Sequence, residues 1–212
     1  MVAQFIGLTV FHAPVSPIYW ADHKQLLMMK NDTWERLRSE PETVDLNLFH
    51  ARFDHLRNPR NGKDIRIVTL TGNDAVNVLA VTPAGNVVMA DNFRFGIMAY
   101  SLELPGGLVD NGEDHQHAAQ RELLEETGYS APDWYYLGCI AANPVFMDSY
   151  VHHYLAIGAE KTASQHLDDG EDIRVRELPL EELRKMLFNG EFQHPHTESG
   201  ALRGLGRLER GL

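Results

Sequence analysis

The stretch 107–129, GLVDNGEDHQHAAQRELLEETGY, decides how this chain is read. Its second half, residues 118–127, predicts a helix, because Gly128 follows at the place where a left-handed residue ends one. Glu122, Glu125 and Glu126 then stand at i, i+3 and i+4, so helical geometry puts three carboxylates on one face. Like charges so spaced repel by about 0.2–0.5 kcal/mol per pair in an isolated helix. Arg121 can neutralise part of that repulsion. A divalent cation can take the rest, since hard cations prefer oxygen ligands and magnesium is typically held by a few carboxylates plus substrate phosphates. The plainer alternative is a solvated acidic helix face.

The whole chain poses the same charge question. Its 30 acidic residues outnumber 19 lysines and arginines, for a net charge of −11. That balance argues against nucleic-acid binding, which needs a basic face. It would also repel a phosphate ester unless a bound cation intervened. The 212 residues, 43% hydrophobic and 23% charged, fit one ordinary domain with a modest additional segment. No apolar run reaches the length of a membrane span, so no membrane association is expected. Residues 1–13 lack the basic start of a signal peptide. One cysteine, Cys139, allows no internal disulfide and suits a reducing cytoplasm.

Working outward, residues 22–38 carry Leu26, Leu27, Trp34 and Leu37 near helical spacing, which predicts a helix. Residues 43–55 alternate like a strand, residues 58–62 (Asn-Pro-Arg-Asn-Gly) make a turn, and residues 65–70 return. A second hairpin is expected from 75–81 and 87–94, and further strands over 135–142, 151–158 and 173–178. Residues 162–172 read as a polar, acidic loop. Residues 180–189 predict a helix closed by Gly190, and the Gly- and Arg-rich tail after His194 is expected to end in mobile residues. Strands dominate with helices interspersed: a mixed α/β protein of the α+β type.

The quoted segment resembles the signature of the Nudix hydrolase family. The family's fixed positions fall on Gly107, Glu113, Arg121, Glu122, Glu125, Glu126 and Gly128, with Leu123 at the aliphatic place. Seven such matches arise by chance at about 10⁻⁸ per starting position at ordinary residue usage. Tyr129 departs from the usual aliphatic residue. Residues 103–107, Glu-Leu-Pro-Gly-Gly, resemble the usual lead-in. The resemblance implies a mixed sheet sandwiched between helices, with a β-rich extension over residues 1–72 and the hydrolase domain over 73–212. It further implies a Mg²⁺ cofactor, for which Mn²⁺ can substitute. Glu122, Glu126 and the main-chain carbonyl of Gly106 would be metal ligands, and Glu125 would share a second metal or its waters. Arg121 would orient the carboxylates, and Glu113 would brace the loop.

Four further features resemble the subgroup acting on ADP-ribose and other nucleoside diphosphate sugars. Pro144 lies 16 residues after Gly128. Asn92-Phe93-Arg94 resembles that subgroup's Gln-Tyr-Arg, which makes Arg94 and Pro144 candidate substrate-binding residues. The acidic loop falls where the subgroup carries its base. Glu171 is the candidate there, with Asp168, Asp169 and Asp172 as rivals. A β-rich segment before the core resembles that of the subgroup's dimeric members and implies a homodimer. Another nucleoside diphosphate derivative, a triphosphate, or a non-catalytic nucleotide-sugar sensor remain alternative readings. Trp34 and Phe93 are candidates to stack on a base or to pack in the core. His115, His117, His152, His153, His194 and His196 lack zinc spacing and are expected at the surface or behind the site.

Overall fold

The computed structural model describes residues 34–40 and 43–211. Alternation decides the central layer. Along β5 (Ala75–Val81) Val76, Val78 and Ala80 point to one core, whereas Leu79 and Val81 point to the other. A strand apolar on both sides must be covered on both sides. β5 pairs with β6 (Asn86–Arg94) antiparallel and with β10 (Tyr150–Ile157) in parallel, and β9 (Asp133–Ala141) closes one edge. β12 (Ile173–Pro179) lies along the far side of β6, and β7 (Ala99–Glu103) pairs with the end of β6. The result is a six-stranded mixed sheet in the order β12-β6-β5-β10-β9 with β7 beside β6.

Helices cover both faces. α1 (His115–Thr127) presents Ala118, Ala119 and Leu123, all fully buried, to Val76, Val78 and Tyr154. Fully burying one leucine contributes about 2 kcal/mol. Asp114 caps α1 by accepting from the amides of Gln116 and His117, and Gly128, at φ 76°, ends it. α2 (Leu180–Asn189) and α3 (Pro195–Glu209) cover the opposite face through Leu183, Leu187, Ala201 and Leu205. A short pair, β8 (Tyr129–Ser130) with β11 (Glu160–Lys161), follows α1. Tyr129 is buried, and its phenol donates to Glu177 of β12 at 2.6 Å.

The N-terminal sheet is separate. β3 (His50–Arg57) pairs with β4 (Asp64–Thr71) on one side, and with β1 (Glu35–Ser39) and β2 (Val44–Asp45) on the other. The 58–62 turn and the returning strand lie where the sequence placed them. The outgoing strand is broken at Asn47, whose φ is 68°. Asp148 ties this sheet to the loop between β9 and β10, meeting Arg52 at 3.1 Å and Thr71 at 3.0 Å.

One expectation needs correction, and one helix was not anticipated. Residues 22–33 of the expected N-terminal helix lie outside the described residues, but its last part, residues 35–38, belongs to the strand Glu35–Ser39 because β3 offers an open ladder. The tail after His194 is a 15-residue helix. Its glycines are contact positions: a Cβ at Gly200 would stand 2.8 Å from Asn77 Oδ1, and one at Gly204 would stand 2.2 Å from Leu79 Cδ2. Their i, i+4 spacing lets α3 lie directly on β5. Among the described residues no helix is long and apolar enough to cross a membrane.

Candidate active site

The loop leading into α1 lies on β5. Val78 N–H donates to Pro105 and Val76 N–H to the Gly107 carbonyl, both at 2.9 Å. Such close approach excludes side chains: a Cβ on Gly106 would meet the Val76 carbonyl oxygen at 2.1 Å, and one on Gly107 would meet the Glu122 carboxylate at 2.5–2.7 Å. With 105 and 107 bonded to β5, Gly106 turns its own N–H the other way and donates to Glu126 Oε2 at 2.8 Å.

Glu126 is 3% exposed, and burial pushes its carboxyl up to about 8, against the weaker pull of the Gly106 amide. Glu122, one turn earlier, is likewise raised by burial, to about 6, despite Arg121. Two carboxyls that resist ionisation side by side are poorly solvated and short of positive charge. Arg121 supplies part of it. Its guanidinium donates to Glu113 at 2.9 and 3.1 Å, to Glu122 at 2.8 Å, to Glu125 at 3.1 Å and to the Leu108 carbonyl at 3.0 Å. Hydrogen bonding to Glu113 is the main reason its own pKa is raised. Glu125 is the most exposed of the three helix carboxylates. Among the described residues no three carboxylates or imidazoles converge as a ready ligand shell; the glutamates face Arg121 and Gly106.

Arg94, at the end of β6, grips Glu103 of β7 with two bonds of 2.9 and 2.6 Å. That pairing is the leading cause of its raised pKa, and the charges of Glu126 and Glu171 also act on it. Glu171 is the loop acid whose charge raises both Glu122 and Glu126. It closes a turn with Asp168, accepting from that residue's amide at 2.9 Å. Asp172 points elsewhere, accepting from the Tyr100 phenol, which in turn accepts from Arg174 at 2.6 Å. The fold therefore gathers Gly106, Arg121, Glu122, Glu125, Glu126, Arg94 and Glu171. Pro144 is not among them: it sits on the β9–β10 loop, which is bonded to Leu70 at the end of β4.

Phe93 packs edge-on against Phe95 and Tyr100 at 5.8 and 5.3 Å. The histidines are less superficial than expected. His153 is fully buried between Asn77 at 2.6 Å and Ser199 at 3.0 Å, and burial pushes it down to about 3. His115 stacks on His152 at 4.2 Å. Glu103, quoted in the sequence only as part of the lead-in, is the buried partner of Arg94; its signal was an acidic residue at an inward position of a strand.

The sequence pattern of the NUDIX domain matches residues 72–197, and the chain belongs to the Nudix family. It is similar to an ADP-ribose pyrophosphatase of Bacillus subtilis (strain 168), with 35% identity over 141 residues, covering 65% of this chain and 75% of that protein. An ADP-ribose pyrophosphatase of Mycobacterium tuberculosis is 31% identical over 157 residues, covering 73% and 75%. A crystal structure of an ADP compounds hydrolase superposes with a TM-score of 0.73 at 23% identity, over 84% of this chain and 96% of that one. This likeness establishes the mixed sheet between helices.

Proposed function

We propose that the protein hydrolyses the diphosphate linkage of a nucleoside diphosphate sugar, ADP-ribose being converted to AMP and ribose 5-phosphate. One observation carries this reading: two buried carboxyls, Glu122 and Glu126, whose raised pKa values mark a missing positive charge. The names of the relatives above support the choice of substrate.

The donor set fits magnesium. Glu122, Glu126 and the Gly106 carbonyl are hard oxygen donors. The Gly106 N–H already reaches Glu126, so the backbone of this residue lies beside the carboxylate that would share the ion. These groups would hold the ion, with Glu125 sharing a second one; manganese has the same charge and oxygen preference and would substitute. When bound, the metal supplies positive charge to the phosphate oxygens and lowers the pKa of water.

The chain's own residues do the rest. Arg121 holds Glu113, Glu122 and Glu125 in one cluster. Arg94 offers its half-exposed guanidinium to the diphosphate. Glu171 takes the proton as the attacking water forms its bond to phosphorus and the bridging P–O bond breaks. Its place on a loop lets it close over substrate. Pro144 stiffens the loop beside the N-terminal sheet, at the margin of the substrate.

Residues 1–72 form the extension and 73–212 the hydrolase domain in this reading, and two copies pair through the extension. Val44, Leu46, Leu48 and Val68 support this, since each is more than 40% exposed and together they offer an apolar surface that a second copy can cover. The free Cys139 fits the cytoplasm. A panel of ADP-ribose, GDP-mannose, UDP-glucose, dinucleotides and nucleoside triphosphates, with products identified and magnesium present or chelated, tests the proposal. ADP-ribose should rank first and turnover should need the metal; a triphosphate ranking first would overturn the substrate assignment.

A further inference from the structure

The segment after β11 is laid along the C-terminal end of α1, the helix that carries Glu122, Glu125 and Glu126. The N–H groups of Thr162 and Ala163 donate to the Gly128 carbonyl at 2.9 and 3.1 Å, and the His166 N–H donates to the Glu125 carbonyl at 2.8 Å. Between them, the side-chain amide of Gln165 donates to the Glu126 carbonyl at 2.7 Å. The approach is tight: a Cβ on Gly128 would stand 2.2 Å from the Ala163 carbonyl oxygen. The last carbonyls of a helix have no partner within it, and here residues 162–166 supply the donors.

Gln165 makes a second bond. The same nitrogen donates to the carbonyl of Ile173, the first residue of β12, at 3.2 Å. A primary amide carries two N–H groups, so one side chain can meet both carbonyls at once. Both acceptors belong to buried residues, Glu126 and Ile173. Residues 166–172, which carry Glu171, thus leave and rejoin the fold at one side-chain amide. Past this neck the Glu171 N–H donates to the Asp168 carbonyl at 2.9 Å within the loop's own turn, and Asp172 is held by Tyr100. A loop closed at its neck has less conformational freedom to lose when Glu171 must be placed.

We infer that Gln165 is a positioning residue: its amide closes the neck of the 166–172 loop onto the Glu126 main chain and so holds Glu171 in register with the carboxylates of α1. The inference rests on the proposed role of Glu171 as the base. Glu126 then serves twice, its carboxylate toward the ion and its carbonyl toward the loop, so that one residue sets the base against the metal ligands.

Two measurements on the full-length protein test this. Q165M keeps the length of the side chain and removes both donors, and Q165A removes the side chain; the two should behave alike, since the donors and not the volume do the holding. In the metal-free protein, hydrogen exchange of the His166, Asp168 and Glu171 amides, followed by NMR, should quicken about tenfold in both variants while the buried turns of α1 exchange as before. On ADP-ribose at saturating magnesium, each variant should lower kcat about tenfold, ~1.4 kcal/mol of barrier and the scale of one lost hydrogen bond. KM and magnesium affinity should stay within about twofold. In an E171Q background, Q165M should cost less than about twofold more, since the base it places is gone. Unchanged exchange in the loop, a kcat above half that of the wild type, or equal losses in both backgrounds would overturn the inference and leave the base assignment standing. Weakened magnesium affinity would also overturn it, by putting the effect on α1 itself. If E171Q kept the wild-type kcat, the base assignment would fall and this role of Gln165 with it.

Discussion

Replacing Glu126 by glutamine should make the metal-free protein more stable at alkaline pH, and by an amount set by burial. In the wild type the carboxyl is displaced from 4.5 to about 8. Between those values the folded state keeps a proton that the unfolded chain has released, so stability falls as pH rises through that window, by up to ~1.4 kcal/mol per pH unit. From pH 5 to pH 8 the loss is about 3 kcal/mol. Glutamine has no proton to lose, and its amide oxygen can still accept the Gly106 N–H. The buried histidines act with the opposite sign, because His153 and His194 are depressed to about 3 and about 4 and cost stability as pH falls below 6.5. Both proteins carry them, so the difference between variant and wild type isolates residue 126. Thermal unfolding in EDTA from pH 5 to 8 should show the Tm difference growing in favour of glutamine by about 6–12 °C. Saturating magnesium should restore the wild type and leave the variant unmoved. A Tm difference independent of pH would refute the buried, charge-starved carboxyl, and equal stabilisation of both proteins by magnesium would refute Glu126 as a ligand.

Three further outcomes follow from the same geometry. Glu171→Gln should lower kcat by about 10²–10⁴ and leave KM little changed, since the base acts as the proton leaves the water; the singly changed Asp168, Asp169 and Asp172 amides, assayed alongside, would each have to retain more activity. Gly107→Ala puts a Cβ 2.5–2.7 Å from the Glu122 carboxylate, so magnesium affinity from titration calorimetry should drop about tenfold while the circular dichroism spectrum persists. Light scattering at micromolar concentration should give a dimer, and a species of 24.0 kDa would reject pairing through the N-terminal sheet.

Local chemistry was legible along the chain. Residues 107–128 carried their meaning in spacing alone, because an α-helix turns i, i+3 and i+4 to one side whatever surrounds it. Gly128 and Gly190 marked two helix ends, and the β5–β6 and β3–β4 hairpins followed from alternation and turn residues. The family and the class of chemistry rested on that local order. Tertiary structure decided what depends on partners distant in sequence. Glu35–Ser39 is a strand because β3 lies open beside it. Gly200 and Gly204 serve helix packing against Asn77 and Leu79, a purpose invisible in a Gly-rich tail. Whether Glu122 and Glu126 are ordinary acids or reluctant ones depends on burial, and which acid of the 168–172 loop faces them depends on Tyr100 holding Asp172 aside. Spacing encodes a face of a helix; desolvation and pairing of charge exist only once the sheet has brought the strands and α3 together.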